Sequence, residues 1–210
     1  MEHQTNNLEF FKVQTKEIEK GFIFNKSLEL KTFILMSEIN DYELIDKLVL
    51  NAEKEIKKST ISGKTNVKAE RTEFNSLTKD YNFHNFLKII QPFIFKIYQK
   101  SFIVSDVWAN IYSKENHYAE EHNHKGISAF CGILYCTDGP GPGTYFNEYD
   151  LNIHEKKGRF VLFTPELKHS VPQFNYTNKR ITIAFNFNEY KKWENTYPYV
   201  IKNNNEKINI

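Results

Sequence analysis

The chain has 210 residues, enough for one well-buried core, and 28 basic against 26 acidic side chains leave it a formal charge of +2. That near balance excludes a binder that depends on neutralising nucleic-acid phosphates. No apolar run is long enough to cross a bilayer, and the polar residues 1–7 lack the apolar stretch of a secretory signal, so the chain reads as cytosolic.

Residues 8–36 contain short β-prone runs (8–13, 22–24, 28–35) broken by Gly21 and Asn25, which predict early strands. Asn40-Asp41-Tyr42-Glu43 has the spacing of a capping box, and Leu44, Ile45, Leu48, Val49, Ala52 and Ile56 follow at helical intervals, so a helix is expected over 41–57. Residues 59–79 are polar and read as loop. Their Gly63-Lys64-Thr65 is no phosphate-binding loop, because Lys58 stands where that motif needs its first glycine and no apolar strand precedes it. A second helical stretch covers 83–99, apolar nearly all round, with Pro92 either kinking one helix or separating two.

From residue 102 the period changes to that of strands, expected at 102–112, 127–136, 144–149, 159–163, 169–173 and 181–187, with Gly-Pro turns over 139–143. Short strands after helices predict an α+β fold: a double-stranded β-helix, or jelly roll, backed by N-terminal helices. The expected organisation is one domain, with strands and supporting helices over 1–100, the β core over 101–188 and a C-terminal tail over 189–210 whose polar end frays. Cys131 and Cys136 are an odd number of residues apart in one predicted strand, so they face opposite sides and stay reduced.

The chemistry concentrates in the second half. His122 and His124 are two residues apart, which in a strand aims both imidazoles at one point, and His169 follows 45 residues after His124. Each histidine alone is an ordinary polar residue; together they have the spacing of a facial metal-ligand set with open positions. Arg180, eleven residues past His169, offers a planar fork for a carboxylate, and Thr182 shares its strand face. Trp108, Asn110 and Tyr112 share another face, on which Trp108 reads as core and Asn110 as possible pocket lining. His117 and His154 have no partner at ligand spacing and read as surface loop residues. The alternative carboxylates are Glu120 and Glu121; Glu120 has the strand parity of His122 but precedes it, and ranks below His124.

In chain order, Asn110-Ile111-Tyr112, His122-Asn123-His124, the strand 128–135, Gly143-Thr144-Tyr145-Phe146, the run 158–163, His169-Ser170-Val171 and Arg180-Ile181-Thr182 resemble the iron(II)- and 2-oxoglutarate-dependent oxygenases. The resemblance is to their prolyl-hydroxylase-like branch and to small oxygenases of bacteria and phages, and it covers roughly residues 100–188. It implies Fe(II) held by His122, His124 and His169, 2-oxoglutarate held by Arg180 with Thr182 and Tyr112, and hydroxylation of a protein or small-molecule substrate with O2, releasing succinate and CO2. One departure stands out: His124 occupies the place of the family's aspartate. Two other readings stay open, a cupin-type metal protein, which would want a glutamate near Ser128 or Ala129 and has no use for Arg180, and a non-catalytic binding module on the same barrel.

Overall fold

The computed structural model describes residues 9–11, 32–59, 65–97, 100–190 and 200–201. The expected strand at 22–24 and the polar end of the tail lie outside them. Among the described residues no helix is long and apolar enough to cross a membrane.

Helix α1 (Tyr42–Ile56) starts where Asp41, not Asn40, caps it: the Asp41 carboxylate accepts from Leu44 N at 3.0 Å. The expected capping box does not form, because Leu44 stands three residues after this cap, and Glu43 pairs with Lys47 along the helix instead. Helix α2 (Tyr81–Ile97) is capped by Asp80, which accepts from Phe83 N at 2.9 Å, and it runs through Pro92 as one helix. Asp80 also accepts from Asn51 of α1 at 2.6 Å, so one carboxylate caps one helix and ties it to the other.

The strands form two antiparallel sheets. The larger contains β1 (Glu9–Phe11), β2 (Ile34–Glu38), β4 (Glu70–Arg71), β5 (Phe102–Tyr112), β7 (Phe130–Tyr135), β10 (Arg159–Phe163), β12 (Arg180–Glu189) and β13 (Val200–Ile201). Its order is β1-β2-β10-β7-β12-β5-β13, with β4 also on β5. The smaller runs β3-β6-β11-β8-β9, from β3 (Val67–Lys68), β6 (Tyr118–His122), β11 (His169–Val171), β8 (Thr144–Phe146) and β9 (Leu151–Ile153). The expected strand at 102–112 coincides with β5 and that at 159–163 with β10. The stretch 144–149 divides into β8 and a 3-10 turn, β3 and β4 form where loop was expected, β9 forms where no strand was assigned, and β6 holds His122 in the strand that its parity argument required. These added strands are short, and their pairing partners rather than their own periodicity define them.

Strands β5 and β12 are buried along nearly their whole length because both of their faces are covered. One face of the large sheet carries Leu134, Phe160, Ile183 and Phe185 against the helices, where Phe83 and Phe86 meet the Phe185 ring edge-on at 5.4 and 5.7 Å. Gly132 lets the Phe185 ring lie flat across β7: a Cβ there would stand 2.1 Å from a ring carbon. The opposite face looks toward the small sheet. Between the sheets lie two smaller apolar clusters, one including Cys131, Tyr135, Phe146 and Phe163, the other Tyr112, Ala119, Val171 and Tyr176. Cys131 and Cys136 are free and buried, in different clusters, as their spacing requires.

Candidate metal centre and anion site

A cavity of about 50 Å³ opens between those two clusters, and its lining includes His122, His124, His169, Arg180, Asn110 and Thr182. The register of the large sheet explains half of this wall. On β12, Arg180, Thr182, Ala184 and Asn186 alternate toward it, facing Tyr112, Asn110, Trp108 and Asp106 across the ladder with β5.

The small sheet supplies two histidines of the cluster, and the turn that follows β6 supplies the third. His122 ends β6 and is the direct cross-strand partner of His169, the first residue of β11, so the two rings lie 4.4 Å apart. His124 is not on the strand, contrary to the parity expected for it. It follows the end of β6 in a turn fixed by two bonds, its own N to Pro165 O at 2.8 Å and Ile127 N to its carbonyl at 3.0 Å. The turn still brings its ring to 5.4 Å from His122 and 5.3 Å from His169, and one ligand nitrogen from each residue lies within 4.8 Å of the others.

The second nitrogen of each ring is engaged. His122 Nδ1 donates to Glu120 O at 2.7 Å, His169 Nδ1 to Leu167 O at 3.1 Å and His124 Nδ1 to Asn186 Oδ1 at 3.1 Å. A proton on Nδ1 leaves a lone pair on Nε2, the tautomer a metal requires. Protonation states agree with this. Burial lowers the pKa of His122; burial and then His122 push His124 down to about 4; burial, His122 and His124 hold His169 well below its ordinary range. All three imidazoles are neutral at pH 7, so the donor set suits a divalent cation of borderline softness such as iron. Glu120 is exposed and contributes its carbonyl, not its carboxylate.

Arg180 is 1 % exposed. Its guanidinium carbon stands 4.6 Å from the Tyr112 ring centre and 5.6 Å from that of Tyr135. Glu155, a residue with no motif to announce it, forms an ion pair with Nε at 3.4 Å, beyond good hydrogen-bond geometry. Arg180 Nε and Nη1, Glu155 Oε2 and Asn110 Oδ1 are all buried without a hydrogen-bond partner. An unmade buried bond costs about 1–3 kcal/mol, more for a charged group, so this wall is built to receive a polar ligand. Burial raises the Glu155 pKa, and the neighbouring Arg180 opposes that rise.

Other assignments change in three dimensions. Trp108 is buried, as expected of core, yet it lines the cavity and lies nearly parallel to the His124 ring at 6.3 Å. His117, expected on the surface, is 8 % exposed, and its Nδ1 accepts from Ser113 N at 3.1 Å. His154 is exposed. Asn186 and Asp106 carry no motif of their own, although Asn186 has the parity of Arg180 on β12 and follows from extending that alternation.

No family model matches the sequence. No curated protein matches it either. Comparison of folds, however, finds the viral collagen prolyl hydroxylase of Paramecium bursaria Chlorella virus-1, solved as its 2-oxoglutarate complex, at a TM-score of 0.56 and 17% identity, covering 72% of this chain and 94% of that one. A Pseudomonas putida prolyl-4-hydroxylase is similar at 0.55 and 12% identity, over 71% of this chain and 88% of that one. The non-heme α-ketoglutarate-dependent epimerase SnoN of nogalamycin biosynthesis reaches 0.61 at 8% identity, over 74% and 77%. The fold is thus that of the 2-oxoglutarate and iron(II) oxygenases.

Proposed function

We propose that the protein is an Fe(II)- and 2-oxoglutarate-dependent oxygenase, a hydroxylase acting on a C–H bond of a protein or small-molecule substrate. In this reading the two facing sheets are a double-stranded β-helix core within one domain. The observation that carries it is the conjunction, in one cavity, of three neutral imidazoles whose Nδ1 atoms are already engaged and a buried arginine with an unpartnered Nη1.

His122, His124 and His169 would hold the metal, and Arg180 the distal carboxylate of 2-oxoglutarate. When bound, iron and 2-oxoglutarate would supply the oxidising chemistry, in which O2 is consumed, the oxoacid is converted to succinate and CO2, and one oxygen atom is inserted into a substrate C–H bond. The chain's own residues do the binding and orienting. Tyr112 and Tyr135 hold the guanidinium in place by their ring faces, and Thr182, buried on the same strand face, offers a hydroxyl to the carboxylate. A bidentate carboxylate satisfies donors that Glu155 leaves unmet, which is why the site favours a diacid over a neutral ligand. The apolar walls, Val171 and Phe163 among them, limit water around the histidines. Three neutral ligands leave the full metal charge in the cavity, which strengthens its attraction for an anionic co-substrate.

The test is an anaerobic titration of the full chain with Fe(II) and then 2-oxoglutarate, followed by visible absorption, with succinate counted by mass spectrometry after O2 is admitted. A band that needs both components, and metal-dependent succinate, are expected. Iron occupancy with neither would assign the barrel to metal binding alone, as in a cupin-type protein or a non-catalytic module.

A further inference from the structure

His122 and His169 give their Nδ1 protons to backbone carbonyls, which can only accept. His124 differs: its acceptor is a side-chain amide, and an amide can present either oxygen or nitrogen. What fixes the choice lies one step further out. Asn186 Nδ2 is 3.3 Å from Asp106 Oδ2, and Ser105 Oγ is 3.0 Å from that same oxygen. Asn186 is 4 % exposed and pairs with Asp106 across the β12–β5 ladder, so neither residue reaches the other by chance of a surface rotamer.

An ionised carboxylate only accepts, so Asp106 draws the NH2 end of Asn186. The amide oxygen is left facing His124 and also only accepts, so His124 must carry its proton on Nδ1 and keep its Nε2 lone pair for the cavity. We propose that Asp106 and Asn186 are positioning residues for the third metal ligand: Asp106 sets the orientation of the Asn186 amide, which selects the metal-binding tautomer of His124. This rests on the reading of the three histidines as a metal centre. It also supplies what the histidine at this position lacks, a carboxylate charge, delivered through two hydrogen bonds behind the ring instead of directly to the metal.

Two readouts separate the relay from the metal reading. In metal-stripped full-length protein, nitrogen-15 NMR of the histidines, with the His124 signals identified by their loss in His124→Gln, is expected to report the Nδ1-H tautomer in the wild type and a shift toward Nε2-H in Asp106→Asn. Anaerobic Co(II) titration is expected to give an affinity about ten- to a hundred-fold weaker for Asp106→Asn, the usual effect of losing a partner behind a metal ligand. In the double variant Asp106→Asn/Asn186→Asp, the amide at 106 donates to the carboxylate at 186, which accepts from His124; affinity should return to within about threefold of wild type, a rescue that lost packing would not produce. Near-UV circular dichroism confirms that each variant is folded. Wild-type tautomer and affinity in Asp106→Asn, or no recovery in the double variant, overturns the relay while leaving the metal centre intact. No Co(II) binding by the wild type, with the tautomer still switching in Asp106→Asn, overturns the metal centre and leaves the relay standing.

Discussion

Lowering the pH should destabilise the metal-free protein through His122, His124 and His169. Each histidine of the triad has a pKa lowered by burial, and for His124 the fall is from 6.5 to about 4. A base whose folded pKa is depressed binds its proton more readily when unfolded, so stability is complete above the unfolded value of 6.5 and is lost as the pH falls toward the folded one. For His124 alone the loss between pH 7 and pH 5 is about 2 kcal/mol, with a limiting slope of about 1.4 kcal/mol per pH unit. His122 and His169 act in the same direction, and a domain has only about 5–15 kcal/mol in all. The assay is urea unfolding of chelator-treated protein at pH 7.0, 6.0 and 5.0, by tryptophan fluorescence and circular dichroism. His124→Gln, which cannot titrate, should flatten the slope between pH 6.5 and 5 by up to one proton. Equal stability at pH 7 and 5, or a slope unchanged in His124→Gln, would refute the reasoning.

Adding Co(II) or anaerobic Fe(II) should raise the unfolding midpoint at pH 7.5 and do so far less at pH 5, where protons compete for the same nitrogens; thermal shift at the two pH values checks it. His169→Ala should abolish tight metal binding, whereas Arg180→Ala should leave it nearly intact and weaken 2-oxoglutarate by about 2–5 kcal/mol, measured calorimetrically on the metal-loaded protein. Gly143→Ala places a Cβ 1.5 Å from Ile153 O and should open the β8–β9 pair, read as lost amide protection over both strands and a lower melting temperature. Pro92 is exposed within α2, and Pro92→Ala should restore a backbone bond and stabilise the protein by about 1–3 kcal/mol in urea titrations.

The sequence by itself determined the long elements and the histidines and arginine of the candidate site. Helices α1 and α2 and strands β5, β10 and β12 were legible because their periodicity persists for several turns or because their apolar run is bounded by turn residues. His122, His169 and Arg180 were legible from their residue types and their spacing along the chain. The tertiary structure decided the rest, since these features depend on which strands become neighbours. Strands of two or three residues such as β3, β4 and β9 carry no period and exist only as partners. His124 reaches the triad from a turn anchored on Pro165, not by strand parity, because β6 ends at His122. Glu155 approaches Arg180 from a loop 25 residues away in sequence, and Asp106 meets Asn186 across 80. Burial finally sets the charge of all of them: the same imidazoles that would titrate freely in an open chain are held neutral here because the space between two sheets excludes the water that would stabilise their protons.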